Sequence, residues 1–571
     1  MSILPPVVQD LLIMYLQPLL RWFSDYVYSR LLKQAEDHLL FKLQRQVDFT
    51  RLEQGCADFH HVSGPGTAPS HAVARLVRAV LVGSLYGWSL RQLEQQVRFN
   101  LIVKWFVGYA LHEPGPDHTT LERFELWVCA HQPRGYFDEV LHQIDQQFPE
   151  DRQQAQLGDT FAVRANAARE ELGDLLAHTC RATLRALAKV RPALAEPLAQ
   201  QLQVPALFSV DTDPHGFRLP RAEQAARLQA RGEAAQACAQ WVTTALQAAP
   251  ALAAEAQQPV RLWLTRLEKV LADNFAFTAL PPRGFTDAQD PGAYRLGSAT
   301  DPEATYRVHG REAAKTELGY NTQLLTTPTF VREIEAYTGA KPDAVTIAPA
   351  LAAQQQYHAL TPPKLIYDAA AGQGKTLAEV AAVTHGQTQL VAPLRPPDKR
   401  NKYFTADQFT LSPEGQTVTC PRGQQTAVAY RQPRGDWTFC FQAHQCRDCP
   451  LWAACRPHTP TSQAQRKVSI SAYRAEVDAA RRDAATESFQ ADRRQRAIVE
   501  RIIAALVRYN GARQARRRGV LKTDFQMKMA ATAYNLKKWM RHLDVRAARS
   551  RSLPGGESVC GPATADRAPI A

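Results

Sequence analysis

Three carboxylates stand where hard-cation chemistry can be built. Asp159 falls in the strand-like run Leu157-Gly-Asp-Thr-Phe-Ala-Val163, Asp368 closes the strand-like run Lys364-Leu-Ile-Tyr-Asp368, and Glu500 lies in a long amphipathic helix. Acidic side chains at strand ends and on a neighbouring helix can converge although long stretches of chain separate them. Oxygen ligands of this type suit Mg²⁺ or Mn²⁺. Two such ions can activate an attacking oxygen and steady a leaving one in an in-line displacement at phosphorus. A lone Asp at a strand end is more often a turn former or a helix cap, so the set carries the reading and no member does alone.

Two further groups of residues can do chemistry. Of ten cysteines, Cys420, Cys440, Cys446, Cys449 and Cys455 share one short window. Cys446-x-x-Cys449 with Cys420 and Cys455 has the make-up of a structural, four-thiolate Zn²⁺ site, which leaves Cys440 spare; His444 and His458 are further candidates. The alternative is a set of buried, reduced thiols in a small β insertion. Arg508, Arg513, Arg516, Arg517, Arg518 and Lys522 form a dense cationic run that suits phosphate binding. Ala369-Ala-Ala-Gly-Gln-Gly-Lys-Thr376 fits a relaxed phosphate-loop pattern between a strand and a helix, with Ala in place of the first Gly. A nucleotide-binding protein is therefore a rival reading, although no acidic strand end stands out as its magnesium partner. The same glycines, Gly372 and Gly374, would equally let the chain turn away from Asp368.

The elements that must position these residues read as α/β. The chain has 571 residues and a net charge of +13, which favours a polyanionic partner. Residues 1–60 read as amphipathic helices, and the Gly/Pro/Ser break at Ser63–Ser70 opens a helical domain over 61–150. There Val73–Leu85, the turn Tyr86-Gly-Trp-Ser89 and Leu90–Val97 make a helix–turn–helix pattern, with Ser89 as N-cap. Residues 151–545 alternate strands and helices, with a helical insertion over about 165–280 and a Cys-rich insertion over about 405–465. The tail 546–571 is rich in Pro, Gly, Ser and Ala and reads as disordered. The apolar stretch Ile3–Phe23 is broken by Pro5, Pro6, Asp10 and Pro18, which argues against a signal peptide or a membrane span. In the helix holding Glu500, Ile498, Val499, Ile502, Ile503 and Leu506 make the apolar face. At 100° per residue Arg493, Arg496, Glu500 and Val507 fall on an adjacent stripe.

Several segments resemble, in order, the DDE transposases of bacterial insertion sequences. Gly158-Asp-Thr-Phe-Ala-Val-Arg-Ala-Asn-Ala167 resembles their first-aspartate motif. Asp301-Pro-Glu-Ala-Thr through Leu318-Gly-Tyr-Asn-Thr-Gln323 resembles the strand pair that follows. Leu365-Ile-Tyr-Asp-Ala-Ala-Ala-Gly-Gln-Gly374 resembles the second-aspartate segment, without the tyrosine that relatives usually carry after it. Arg496-Ala-Ile-Val-Glu500, Arg508-Tyr-Asn-Gly-Ala-Arg513 and Ala533-Tyr-Asn-Leu-Lys537 resemble the glutamate helix and its sequel. Relatives often have a tyrosine seven residues before the Glu and a lysine seven after; here Arg493 and Val507 stand there, with Arg508 next door. Residues 58–132, Asp117-His-Thr-Thr-Leu-Glu-Arg-Phe124 above all, resemble the family's N-terminal domain. Cys420-Pro-Arg-Gly423 and Cys446-Arg-Asp-Cys-Pro-Leu451 resemble a Cys-rich segment found in some members.

The resemblance implies an RNase H-like mixed-sheet core with helical and Cys-rich insertions, preceded by an all-α domain. It implies Asp159, Asp368 and Glu500 as catalytic ligands of Mg²⁺ or Mn²⁺, and Arg493, Arg496 and the basic run as DNA contacts. The expected activity is cleavage at insertion-sequence ends and strand transfer into target DNA. Terminal inverted repeats and target DNA are the expected partners, with a homodimer or larger assembly on DNA, no membrane, and a cytoplasmic, nucleoid-associated setting. A DNA-binding protein that has lost catalysis is the alternative beside the nucleotide-binding one.

Overall fold

A computed structural model describes residues 6–60, 71–204, 220–248, 254–277, 285–286, 292–308, 316–394, 402–456 and 465–552. The break at Ser63–Ser70, His458 and the last residues of the tail lie outside these. The chain divides into two compact units, Met1–Pro149 with Met529–Ala571, and Glu150–Lys528.

The first unit is helical. It holds α1 (Pro6–Leu32), α2 (Leu39–Gln46), α3 (Thr50–Gly55), α4 (Val73–Tyr86), α5 (Leu90–Phe99), α6 (Leu101–Val107), α7 (His118–His131) and α8 (Gly135–Gln147). Leu76, Val77, Val80, Leu81 and Leu85 bury the helical stripe of α4, as their spacing predicts. Residues 1–60 are not a domain apart. Phe49 sets its ring edge-on against Phe106 at 5.9 Å, and Asp48 exchanges hydrogen bonds through its backbone with the buried amide of Gln143. Nor does the core own the chain to residue 545. The last helix, Val520–Ser552, passes into this unit at Met529, where Trp539 is fully buried and donates to Gln147 Oε1 at 2.9 Å. That helix runs on to Ser552, so the expected disorder from residue 546 is corrected for the described part of the tail. Among the described residues no single helix is long and apolar enough to cross a membrane.

The second unit is built on a mixed sheet. Its strands are β1 (Gln156–Arg164), β4 (Thr305–Val308), β5 (Thr316–Thr326), β6 (Val331–Thr338), β7 (Lys364–Ile366) and β8 (Gln389–Val391), with a small hairpin β2 (Ala276–Phe277) and β3 (Phe285–Thr286) apart from it. β5 is antiparallel to β1 along one edge, while β4 and then β6 share its other edge. β1 and β7 are parallel, as are β7 and β8. The order β6-β5-β1-β7-β8, three antiparallel strands and then two parallel ones, is that of an RNase H-like core. Central β1 and β5 are buried along most of their length, although β5 carries the polar Asn321, Thr322, Gln323 and Thr326 into the interior.

Both insertions carry their own cores. The helices Leu172–Val190, Pro192–Gln201, Arg221–Gln247 and Ala254–Asn274 bury Leu176, Cys180, Cys238, Val242 and Leu267 among themselves. In the Cys-rich insertion β9 (Thr410–Leu411), β10 (Val418–Thr419) and β11 (Gln425–Thr426) form one sheet. β12 (Ala429–Arg431), β13 (Trp437–Phe441) and β14 (Arg466–Ile470) form another, around Phe409, Phe439, Phe441 and Val468.

Asp151, just ahead of β1, anchors the far side of the sheet. Its carboxylate is buried and accepts from Arg332 Nε at 2.9 Å and from Thr327 Oγ1 at 2.9 Å, with Arg332 itself fully buried on β6. Removing one partner strands the other charge in a dry interior, which costs about 3–5 kcal/mol. Asp151→Ala should therefore lower unfolding free energy by that order in urea titrations. A variant within about 0.5 kcal/mol of wild type, the ordinary surface range, would mean that the pair contributes nothing to the sheet.

Candidate active site

The β1–β7 pairing brings the segments of the two aspartates near one another. Gln156 lies beside Leu365 and Leu157 beside Ile366, two residues ahead of Asp159 and Asp368, and the Asp368 charge is felt at Asp159. Adjacent strands are about 4.8 Å apart. β7 itself stops at Ile366, two residues earlier than the sequence suggests. Tyr367 still donates its amide to Val391 at 3.0 Å, and the chain then turns, with Ala370 N–H bonded to Asp368 Oδ1 at 2.9 Å.

The residues just before each aspartate explain the closeness. A Cβ on Gly158 would stand 2.4 Å from the ring of Tyr367. Tyr367 is buried, and its hydroxyl donates to Gln323 Oε1 at 2.9 Å. Burial, followed by the charges of Asp159, Asp343 and Asp368, pushes its phenol well above the ordinary range, so it stays a neutral donor. Sequence reading missed this role of Gly158 and Tyr367. A glycine inside a strand pattern is the available signal, because it marks the close approach of another group.

Glu500 arrives on the helix Ala497–Tyr509, which packs against β1 through buried Val499, Ile502 and Leu506. The side chain of Glu500 is largely exposed, while that of Asp159 is mostly buried. Arg496 joins them: its Nη2 is 3.4 Å from Asp159 Oδ2 and 3.8 Å from Glu500 Oε1. Its Nε is buried without a hydrogen-bond partner among the described residues. Burial raises the Asp159 carboxyl above its ordinary pKa, the Thr160 amide and Arg496 oppose this, and the Asp368 charge adds to it. A carboxylate so placed gains more from a nearby cation than one in open water.

The continuous basic stripe expected before Glu500 is not there. The helix Glu487–Arg494 ends after Arg493, and Arg496 is the N-cap residue of the next helix. Arg493 is exposed on a separate element, so only Arg496 keeps company with Glu500. The basic run likewise is mostly loop. Arg508 ends the glutamate helix, Arg513, Arg516, Arg517 and Arg518 follow in the connection, and Lys522 lies in the first turn of the last helix. That loop is stitched to the end of β1. Arg164 N–H donates to Arg513 O at 3.0 Å, Ala515 N–H donates to Arg164 O at 2.9 Å, and Asn166 Nδ2 donates to Arg516 O at 2.7 Å. Five residues of strand, about 17 Å, separate this anchor from Asp159.

Two family models match the chain. A transposase DDE domain matches residues 419–540, and a transposase domain (DUF772) matches residues 29–125. Both are transposase domains, which supports the resemblance to the DDE transposases of insertion sequences. No curated protein and no solved structure matches it. The DDE match takes in the Cys-rich insertion, the glutamate helix and the basic loop; Asp159 and Asp368 lie upstream of it.

The phosphate-loop reading loses most of its cradle. The amides of Ala370, Ala371, Gly372 and Gln373 are bonded to acceptors within residues 368–371, and Lys375 pairs with Glu379 at 3.6 Å. The glycines serve packing instead. A Cβ on Gly372 would meet Pro393 O at 1.9 Å, and one on Gly374 would meet Tyr473 Cβ at 2.6 Å.

Among the described residues no three His, Cys, Asp or Glu side chains are gathered tightly enough to hold a metal ion as they stand. The donor sets nonetheless have the right chemistry. The Asp159 and Glu500 carboxylates already share one cation, the guanidinium of Arg496, and Asp368 lies within electrostatic reach of Asp159. Cys420, Cys446, Cys449 and Cys455 line one cavity of about 30 Å³, whereas Cys440 sits in β13 and does not. Burial, and then neighbouring thiols, push the Cys446 and Cys455 thiols up.

Gly158→Ala tests the β1–β7 contact. Forcing a methyl against the Tyr367 ring should cost about 1–3 kcal/mol of stability and depress DNA cleavage, with Gly158→Ala/Tyr367→Leu recovering stability in part. Wild-type stability and cleavage in the single variant would show that the contact does not set the aspartate pair.

Proposed function

We propose that this transposase cuts DNA at the ends of its insertion sequence and joins the freed strands to target DNA at one carboxylate centre. The observation that supports the reading is the proximity of the three acids' segments: the strands that lead to Asp159 and Asp368 pair in parallel, the Asp368 charge reaches Asp159, and Arg496 links Asp159 to Glu500. A divalent Mg²⁺ or Mn²⁺ held there would supply a lowered pKa for the attacking oxygen and charge stabilisation for the leaving one. Asp159, Asp368 and Glu500 are the side chains that would hold it.

The chain's own contribution is placement and charge. In the first displacement a water oxygen attacks the phosphorus at the element end, the bond from phosphorus to the 3′ oxygen breaks, and the element keeps a 3′-hydroxyl. In the second, that hydroxyl attacks a target phosphorus, a new phosphodiester forms, and the target's own 3′ oxygen leaves. Both are substitutions at phosphorus, so no covalent protein intermediate is needed. Arg496 keeps Asp159 and Glu500 from repelling one another, and its guanidinium can also take a phosphate oxygen. Arg493, Arg508, Arg513, Arg516, Arg517, Arg518 and Lys522 provide phosphate contacts whose strength falls with salt. Two DNA ends require two centres, which favours a homodimer or larger assembly on DNA in the cytoplasm, at the nucleoid.

Purified protein incubated with Mg²⁺ and a plasmid carrying the flanking terminal repeats should give nicked and joined products. Asp368→Asn should lose them by on the order of 10²-fold or more, since even residues that only support a metal ligand cost 10–100-fold. Identical products from both proteins would end the catalytic reading. DNA binding without any products from either would favour a protein that has lost catalysis.

The four cysteines lining one cavity support a structural Zn²⁺ held by Cys420, Cys446, Cys449 and Cys455. Elemental analysis of the purified full chain should find about one zinc per molecule, and Cys449→Ser should lower it and destabilise the insertion. A zinc-free protein of unchanged stability would identify the thiols as simple core residues.

A further inference from the structure

We infer that α5 is the element that reads base sequence, through Arg91, Gln95 and Arg98 in the major groove of the terminal repeats. The inference rests on the DNA-end reading proposed above and names the surface that does the recognising.

The local geometry begins with the turn. α4 closes on Gly87 in the left-handed region at φ +69°, and Trp88 N–H returns to Gly83 O at 2.9 Å. Ser89 then caps α5, accepting from Gln92 N–H while Gln92 Oε1 accepts from Ser89 N–H at 2.9 Å. Three residues thus turn the chain through 112° between α4 and α5. A short Gly-containing turn and an angle of about 90–120° define the helix-turn-helix arrangement. The two helices touch closely: a Cβ on Gly83 would lie 3.0 Å from Leu93.

The two faces of α5 differ sharply. Leu93 and Val97 are buried against the unit's core. Arg91, Gln95 and Arg98 recur at intervals of four and three residues, so they share the opposite face, and all three are exposed. Among the described residues Arg91 and Gln95 make no hydrogen bond or ion pair, and Arg98 only stacks over the exposed ring of Phe99 at 5.5 Å. The acid on α5, Glu94, is held at 2.8 Å by His118 at the start of α7. Three other arginines of the unit are paired within it: Arg75 with Glu113 at 3.3 Å, Arg78 with Glu53 at 3.5 Å and Arg134 with Asp138 at 3.0 Å. Arg91 and Arg98 have no such acidic partner among the described residues and lie on the exposed face of α5. A guanidinium suits the O6/N7 edge of guanine, and a glutamine amide suits the N6/N7 edge of adenine. This charge and donor pattern fits DNA, and the transposase domain match at residues 29–125 contains all of it.

The test measures binding of the full chain, in EDTA so that no cleavage intervenes, to a terminal-repeat duplex and to a scrambled duplex of equal composition. Gln95→Ala and Arg98→Ala are surface changes to a good helix former. Each should weaken repeat binding about 5- to 150-fold, the range of one bidentate base contact, and Gln95→Ala should leave scrambled binding within about 3-fold. Arg513→Ala should weaken both duplexes alike, as a phosphate contact does. Equal losses on both duplexes for Gln95→Ala, no loss on either, or a wild-type chain without repeat preference would each overturn the assignment. Plasmid cleavage that depends on Asp368 is read separately, so the chemistry can stand while this inference falls.

Discussion

The candidate centre depends on one close contact, the ring of Tyr367 lying where a side chain on residue 158 would be. Because position 158 is glycine, the Tyr367 ring can lie against β1 just beyond the parallel pairing of β1 with β7, and Asp368 follows within electrostatic reach of Asp159. The Tyr367 hydroxyl is fixed by Gln323, whose Oε1 also accepts from Thr346, so β5 and the turn after β6 are tied to the same point. Two like charges are thus held near each other by packing and neutral hydrogen bonds. That is an electrostatically unfavourable arrangement, and it calls for a cation.

Arg496 answers that call from the chain itself. Its position depends on the break between the helices Glu487–Arg494 and Ala497–Tyr509, which frees residue 496 from a continuous helical ridge and aims it at β1. The glutamate helix is fixed by its apolar face, so the exposed Glu500 needs no packing of its own. A water-facing carboxylate such as Glu500 suits a site that must admit DNA and solvent. The basic loop, pinned to Arg164 and Asn166, extends positive charge away from the same strand. Long insertions interrupt this core without loosening it, because each closes around its own buried cluster.

Much of this was legible in the residues. The strand-like runs around Asp159 and Asp368, the amphipathic helix around Glu500 and the capped turn at Ser89 have local signals, and local chemistry set their structure. The ends of elements were read less well. β7 stops before Asp368 because the chain must bend to follow Gly372 under Pro393, which no periodicity reports. The stripe through Arg493 failed for a similar reason, since polar residues at 493–496 extend helical spacing on paper across a real break. The phosphate-loop pattern was a matter of spelling alone, and its amides proved to be bonded within the loop.

The sequence by itself determined the kinds of element, the resemblance to transposases and the clustering of the cysteines, because each is written in residue types and short spacings. Only the tertiary structure decided the strand order, the parallel register of β1 with β7, the unit to which the end of the last helix belongs, and that four of the five clustered cysteines line one cavity. Those are long-range facts. A strand has two edges and a helix several faces, and which one is used depends on partners far away in the chain. Gly158 and Tyr367 illustrate the division: each is an ordinary residue in its own segment, and their meaning exists only where the two strands meet.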